Sequence, residues 1–117
     1  MRKIYYLKTC STCLRILKEL KPTPDFILQD IKEAPITVKQ LEEMKKMAGS
    51  YEELFSKKAK LYKERRLKDE TLSEEDFKNF ILEHYTFLKR PVIIVDDQIF
   101  VGNSKNTLED AKLVIHA

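Results

Sequence analysis

Two cysteines, Cys10 and Cys13, are the residues of this 117-residue chain whose spacing most directly suggests chemistry. A strand-like apolar run, residues 4–7, leads into them, and an apolar repeat at helical spacing continues from Cys13 to Leu20. A Cys-x-x-Cys motif between a strand and a helix is typical of a redox-active dithiol. Because the free N–H groups and the positive dipole end of a helix stabilise an anion, we expect Cys10 to form a thiolate readily.

A structural zinc site and simple packing are the two alternative interpretations of this cysteine pair. Structural zinc usually needs four ligands, and the other candidate ligands, His84 and His116, lie far along the chain without paired spacing. The sequence therefore predicts no metal site. Packing suits Cys13, which falls on the apolar stripe of the helix, but Cys10 lies outside that stripe. Cys13 can be both packed and reactive.

The composition is that of one globular domain, with 43% hydrophobic and 35% charged residues. A net charge of +3 is too small a bias to indicate direct binding of nucleic acid. We see neither a signal peptide at the N-terminus nor an apolar run long enough for a membrane helix, and so expect a cytoplasmic protein without a membrane partner. In a reducing compartment, a cysteine pair is more often catalytic or redox-sensing than structural.

The elements around the motif form a β-α-β unit. The patterns predict a strand over residues 2–7, a helix over 11–20 and a second strand over 26–28. So short a unit requires parallel strands joined by a right-handed crossover. The C-terminal end of the first strand, and with it Cys10, then lies at the edge where α/β proteins build their sites.

A helical insert is predicted for about residues 37–86. Capping patterns begin helices at Thr37 and Ser73, and Gly49 is suited to end the first of them. The charge-dense stretch 57–70 is either a solvated surface or a contact for an acidic partner, which would meet Lys57, Lys58, Lys60, Lys63, Arg65 and Arg66.

The last part of the chain predicts a hairpin and a closing helix. Residues 92–95 are a continuous β-branched run, typical of a strand buried on both faces, and residues 98–101 return antiparallel to it. Asn106 and Glu109 form a capping pattern for the final helix. The fold class is therefore α/β, with a four-stranded mixed sheet in the order β-α-β, helical insert, β-β-α.

This whole pattern resembles the arsenate reductase (ArsC)/Spx family over essentially the full length. The resemblance rests on residues 5–10, 88–94 and 100–102, which read YYLKTC, LKRPVII and FVG. It implies a thioredoxin/glutaredoxin-like fold in a single domain, residues 1–117. The core would then comprise about residues 1–36 and 87–117, and the helical lobe about residues 37–86.

The resemblance also implies the site. The position of Cys10 carries the family's nucleophile, that of Arg90 an arginine beside it, and that of Pro91 a proline that is typically cis. Backbone N–H groups of the helix start would add to an anion cradle. The residues expected to bind the substrate or anion are Lys8, Ser11, Thr12, Pro91 and Asn103.

Two branches of the family offer different functions. Arsenate reductases surround the cysteine with three arginines, and only Arg90 is matched here. Residues 55–58 read FSKK where a second would lie, and Asn103 stands where the third would follow. Because lysine and asparagine cannot bind an oxyanion through a planar fork, efficient arsenate reduction is not expected. Spx regulators bind RNA polymerase and use Cys-x-x-Cys as a redox switch, and Gly49 lies roughly where Spx has a polymerase-contacting glycine.

The favoured hypothesis is an arsenate-reductase-like thiol–disulfide oxidoreductase. Cys10 attacks, and the adduct is resolved by Cys13 or by an external thiol such as glutathione with glutaredoxin or a thioredoxin-type reductant. No bound cofactor is expected. The alternative is an Spx-like redox-switched regulator of RNA polymerase.

Overall fold

The structure is a computed structural model that describes all residues, 1–117. The strands are β1 Arg2–Tyr6, β2 Ile27–Asp30, β3 Val92–Val95 and β4 Gln98–Val101. The helices are α1 Ser11–Leu20, α2 Val38–Ala48, α3 Lys60–Glu64, α4 Glu74–Glu83 and α5 Lys105–Ile115. Short 3-10 turns lie at Glu52–Leu54, Leu67–Asp69 and Tyr85–Phe87. The chain divides into two compact units, Met1–Ala34 with Arg90–Ala117, and Pro35–Lys89.

The first unit contains one sheet with the strand order β2-β1-β3-β4. β1 pairs with β2 in parallel and with β3 antiparallel, and β3 pairs antiparallel with β4. All four residues of β3 are buried, as the β-branched run predicts. The predicted four-stranded mixed sheet in an α/β fold is confirmed.

The hydrophobic core of this unit is formed by alternate residues of the central strands and by α1 and α5. The helices contribute every third or fourth residue, which is the spacing of one buried face. Its fully or nearly buried members are Ile4, Tyr6, Cys13, Ile16, Leu20, Phe26, Ile93, Val95, Ala111 and Ile115. Cys13 is therefore part of the packed core, and the helix that carries it is held firmly against the sheet.

Several predicted boundaries in this unit were wrong. β1 ends at Tyr6 and not at Leu7, and β2 ends at Asp30 and not at Leu28. The second strand begins at Ile27 and not at Phe26, because the N–H of Phe26 donates to the carbonyl of Thr23, 3.1 Å away, in the proline-containing turn. The last helix is capped by Ser104 and not by Asn106. The Ser104 hydroxyl accepts from the N–H of Thr107 at 3.2 Å, so the helix begins two residues earlier than predicted.

The second unit, Pro35–Lys89, has the predicted helix starts. Thr37 and Ser73 each accept a hydrogen bond from the backbone N–H three residues on, in complete capping boxes. Gly49 ends α2 with a φ of +102°, a conformation that favours glycine. Ring contacts in the interior of this unit centre on Phe55, which touches Tyr62, Phe77, Phe80 and Phe87.

Much of the charge-dense stretch 57–70 is paired with acidic residues of the same unit. Arg65 makes a two-pronged ion pair with Glu83, with nitrogen–oxygen distances of 2.6 and 3.0 Å. Lys57 pairs with Glu52 at 2.8 Å. Further pairs join Lys60 to Glu64 and Arg66 to Asp69. These contacts favour the solvated interpretation over a contact for an acidic partner.

None of the helices is both long and apolar enough to cross a membrane.

Candidate redox site

Cys10 occupies the N-cap position of α1, immediately before the first helical residue. Its N–H donates to the carbonyl of Leu7 at 3.0 Å, which closes a tight turn over Lys8 and Thr9. Its own carbonyl accepts the first helical hydrogen bond, from the N–H of Leu14 at 3.1 Å. The backbone thus turns sharply from β1 into α1 and places Cys10 at the helix start, where the first N–H groups have no partners within the helix.

The surroundings of Cys10 lower the pKa of its thiol below the ordinary cysteine value. Partial burial is the largest single influence and acts in the opposite direction, raising the pKa. It is outweighed by the N–H and thiol of Cys13, the positive charge of Arg90 and the N–H of Thr12, which all favour the thiolate. The helix start and one arginine therefore make Cys10 an acidic thiol.

Cys13 behaves in the opposite way although it lies only one helical turn further. Its side chain is 1% exposed. Burial is the main cause that raises the pKa of Cys13 to about 11, and the hydrogen bond and charge of Cys10 raise it further. The backbone of Leu7 and the charge of Arg90 offset only part of this shift. Both cysteines are free thiols in the structure.

Arg90 and Pro91 are contributed by the loop that enters β3. The peptide bond between them is cis, as expected from the family resemblance. The carbonyl of Pro91 accepts from the N–H of Gly102 at 2.9 Å, so the loop entering β3 is tied to the residue that follows β4. Asn103, next to Gly102, is exposed. The antiparallel β3–β4 hairpin therefore carries Arg90, Pro91 and Asn103 on joined segments.

The remaining predicted anion ligands differ in what they offer. Ser11 is exposed at the first position of α1, and Thr12 is half-buried and contributes its backbone N–H to the lowered pKa of Cys10. The Lys8 ammonium lies 3.3 Å from a carboxylate oxygen of Glu33. Glu33 was not among the predicted site residues. A signal was present, because Lys8 and Glu33 each follow one of two neighbouring parallel strands, whose ends meet at one sheet edge.

Nowhere in residues 1–117 do three or more histidine, cysteine, aspartate or glutamate side chains gather in a group that could hold a metal ion.

Comparison with known proteins agrees with this geometry. The family model described as the ArsC family matches residues 5–111, which is nearly the whole chain. The chain belongs to the ArsC family. The protein YfgD of Escherichia coli (strain K12), itself uncharacterized, is 31% identical over 105 residues, which cover 86% of this chain and 87% of YfgD.

Solved ArsC structures share the fold. An arsenate reductase from Vibrio cholerae is 24% identical, with a TM-score of 0.72 over 97% of this chain and 96% of the other. An ArsC-related protein from Brucella melitensis is 20% identical, with a TM-score of 0.67 over 93% and 92%. The predicted thioredoxin/glutaredoxin-like fold of the ArsC family is thus confirmed.

Proposed function

We propose that this ArsC family protein is a thiol–disulfide oxidoreductase in which Cys10 is the nucleophile. The observation that carries the proposal is the contrast between two thiols one helical turn apart. The pKa of Cys10 is lowered by the helix start and Arg90, whereas burial raises that of Cys13 to about 11. Because the thiolate is the reacting form, the first attack belongs to Cys10.

In the first step, the Cys10 thiolate attacks a sulfur atom of a disulfide R–S–S–R. A Cys10–S–S–R bond forms, the substrate bond breaks, and RS⁻ leaves with the electron pair. Arg90 and the N–H groups of Thr12 and Cys13 stabilise the negative charge before attack. We assign contacts with the substrate or its anionic group to Lys8, Ser11, Pro91 and Asn103.

The second step uses Cys13. Once Cys10 is in a mixed disulfide it carries no negative charge, so its charge and hydrogen bond no longer oppose ionisation of Cys13. The Cys13 thiol can then lose its proton and attack the Cys10 sulfur. This forms a Cys10–Cys13 disulfide and releases RSH once the leaving thiolate takes up a proton. The order of the two steps thus follows from their mutual electrostatics.

The internal disulfide is returned to the dithiol by an external reductant. We propose a small thiol such as glutathione, or a glutaredoxin- or thioredoxin-type protein, as that reductant, and the cytoplasm as the compartment that supplies it. Glutathione would act as a co-substrate here, not as a bound cofactor.

An Spx-like regulator of RNA polymerase is the second candidate, supported by the shared Cys-x-x-Cys. Gly49, the glycine that suggested this function, has a structural role of its own, because it ends α2 at a φ of +102°. Its presence is therefore explained without a polymerase contact. We therefore favour the enzyme. Turnover of small disulfides without retention on RNA polymerase would support the enzyme, and retention that depends on the cysteine oxidation state would support the regulator.

The decisive experiment is a thiol titration with mass measurement before and after mild oxidation. We expect two free thiols in the reduced protein, none after oxidation, and a mass loss of two hydrogens. A protein that retains one free thiol and gains a bound thiol or oxygen would rule out the internal disulfide. Loss of neither thiol would overturn the function itself.

A further inference from the structure

The turn that precedes Cys10 carries an exposed ion pair whose acidic member, Glu33, has no role in the chemistry above. Nζ of Lys8 lies 3.3 Å from Oε2 of Glu33. The two side chains are 55% and 68% exposed, so dissolved molecules can reach both charges. The hydrogen bond and charge of Glu33 raise the pKa of Lys8, which therefore stays an ammonium at neutral pH. A positive charge sits beside the reactive turn, partly neutralised by a carboxylate of the same chain.

Lys8 is close enough to act on a molecule that approaches Cys10. The hydrogen bond from the Cys10 N–H to the Leu7 carbonyl, at 3.0 Å, places Lys8 in the centre of the tight turn. Because Lys8 is two residues before Cys10, the distance between their Cα atoms is at most about 7 Å. The four-carbon stem is flexible, so the ammonium can follow a charged group on the attacked disulfide.

The roles of Lys8 and Arg90 differ. Arg90 is among the groups that lower the pKa of Cys10, so its charge acts on the enzyme's own thiolate. Lys8 has an anion of its own chain at hydrogen-bond distance, and an anionic group on an incoming molecule could exchange with it. An exposed pair of this kind exchanges partners at small cost, because such pairs contribute little to stability.

We propose that Lys8 selects anionic disulfides for attack by Cys10 and that Glu33 is an internal competing anion that limits this selection. The inference rests on the proposed function, because it concerns the first attack of Cys10. The reaction is the balanced exchange described above, in which Cys10 bonds to one substrate sulfur and the other leaves as a thiolate. The substrate class is a small disulfide whose carboxylates lie near the sulfur atoms.

The test compares three disulfides of different charge on the reduced protein at neutral pH and low salt. Dithiobis(nitrobenzoate) is anionic, dithiodipyridine is uncharged and cystamine is cationic. The quantity measured is the ratio of second-order rate constants for the anionic and the uncharged reagent. We expect Lys8→Met to lower this ratio about twofold to fivefold and Glu33→Gln to raise it by a similar factor, with cystamine moving in the opposite direction.

The double variant carries the sharpest outcome. If Glu33 acts through Lys8, the Lys8→Met/Glu33→Gln protein has the ratio of Lys8→Met alone. A rise on Glu33→Gln that is equally large without Lys8 would overturn the competition. All differences should shrink at high salt, because screening shortens the range of exposed charges.

Matched variants on α1 separate selection from net charge. Lys18→Met and Glu19→Gln make the same charge changes at exposed positions of the helix that Cys10 begins. We expect them to leave the ratio unchanged, and equal shifts would overturn the proposal. Failure of the proposed function looks different, because the Cys10→Ser variant would then react with all three reagents as fast as the wild-type protein.

Discussion

The N-termini of α1 and α4 meet the same physical requirement in opposite ways. The first turn of α4 is stabilised by its own side chains, through the capping box of Ser73 and Asp76 and the further acidic residues Glu74 and Glu75. The first turn of α1 has no acidic residue, and a cysteine holds the cap position. The donors that α4 uses for stability are left in α1 for a thiolate. A helix that lacks a capping side chain leaves its first N–H groups unpaired, and these groups can stabilise a reactive anion.

Replacing Cys10 by serine should have the largest effect on activity, because it gives α1 a serine N-cap like that of α4 and removes the reactive sulfur. We expect complete loss of disulfide exchange and of alkylation at neutral pH, since Cys13 is only 1% exposed to an external reagent and burial, the main cause of its raised pKa, persists without Cys10. The new hydroxyl can cap the helix, so the free energy of unfolding should stay level or rise by up to about 1 kcal/mol. Rapid alkylation of this variant would reverse the roles assigned to the two cysteines.

Arsenate tests how much anion binding a helix start supplies with a single arginine beside it. Only Arg90 matches the three arginines expected of an arsenate reductase, and Lys57 is already paired with Glu52 at 2.8 Å. Each missing charge-assisted contact costs on the order of 1.5–3 kcal/mol in oxyanion binding. We expect weak or absent arsenate reduction in an assay with glutathione and glutaredoxin. Turnover equal to that of a three-arginine enzyme would mean that other residues of this chain bind the oxyanion.

Replacing Cys13 by serine keeps the reactive terminus and removes the second thiol. Cys10 should react with mild peroxide and glutathione at nearly the normal rate and then stall as a glutathione adduct or a sulfenic acid. Mass spectrometry of the intact variant would detect either product. Unimpaired turnover with glutathione would instead mean that Cys13 serves packing alone and that the chemistry needs one cysteine.

Arg90→Gln removes one of the groups that lower the pKa of Cys10. The thiolate is the reacting form, so alkylation by uncharged iodoacetamide rises with pH to a midpoint at that pKa. For the wild-type protein we expect a midpoint below the value of about 8.5 for a free cysteine. In the variant the midpoint should move to higher pH, and the rate at neutral pH should fall. A wild-type midpoint at or above 8.5 would remove the basis for an activated Cys10.

The smallest effect on disulfide exchange is expected from a change at the capped N-terminus of α4. Ser73→Ala removes the hydroxyl that accepts from the N–H of Asp76 at 3.2 Å. Denaturant unfolding should show a loss of about 1 kcal/mol, the usual value of an N-cap. The alkylation midpoint of Cys10 should not move, and a shift in that midpoint would argue against treating the two termini as independent.

Local sequence patterns were enough for several elements of the two units. The bounds of α1, the cap positions of Thr37 and Ser73 and the β3–β4 hairpin all depend on neighbours within a few residues. Patterns failed where two local solutions compete. Ser104 and Asn106 are both good caps, and the structure uses the first, whose hydroxyl accepts from the N–H of Thr107.

Contacts between residues distant in the sequence could not be predicted from local patterns, because they depend on the folded chain. The pairing of Lys8 with Glu33 spans 25 positions and depends on how two parallel strands end. The pKa contrast between Cys10 and Cys13 needs burial and charge placement that spacing alone does not give. The roles of the individual site residues and the single-domain organisation stay predictions.

The hydrogen bond from the Gly102 N–H to the Pro91 carbonyl, 2.9 Å long, makes one backbone amide a natural reporter of the site. This amide can exchange its hydrogen for deuterium only when the segments on either side of the hairpin separate. Arg90 directly precedes Pro91, whose carbonyl accepts this hydrogen bond. The exchange rate of the Gly102 amide therefore reports how often the loop that carries Arg90 opens. The motion of the loop can therefore be followed without a label on either sulfur, in the reduced and the oxidised protein alike.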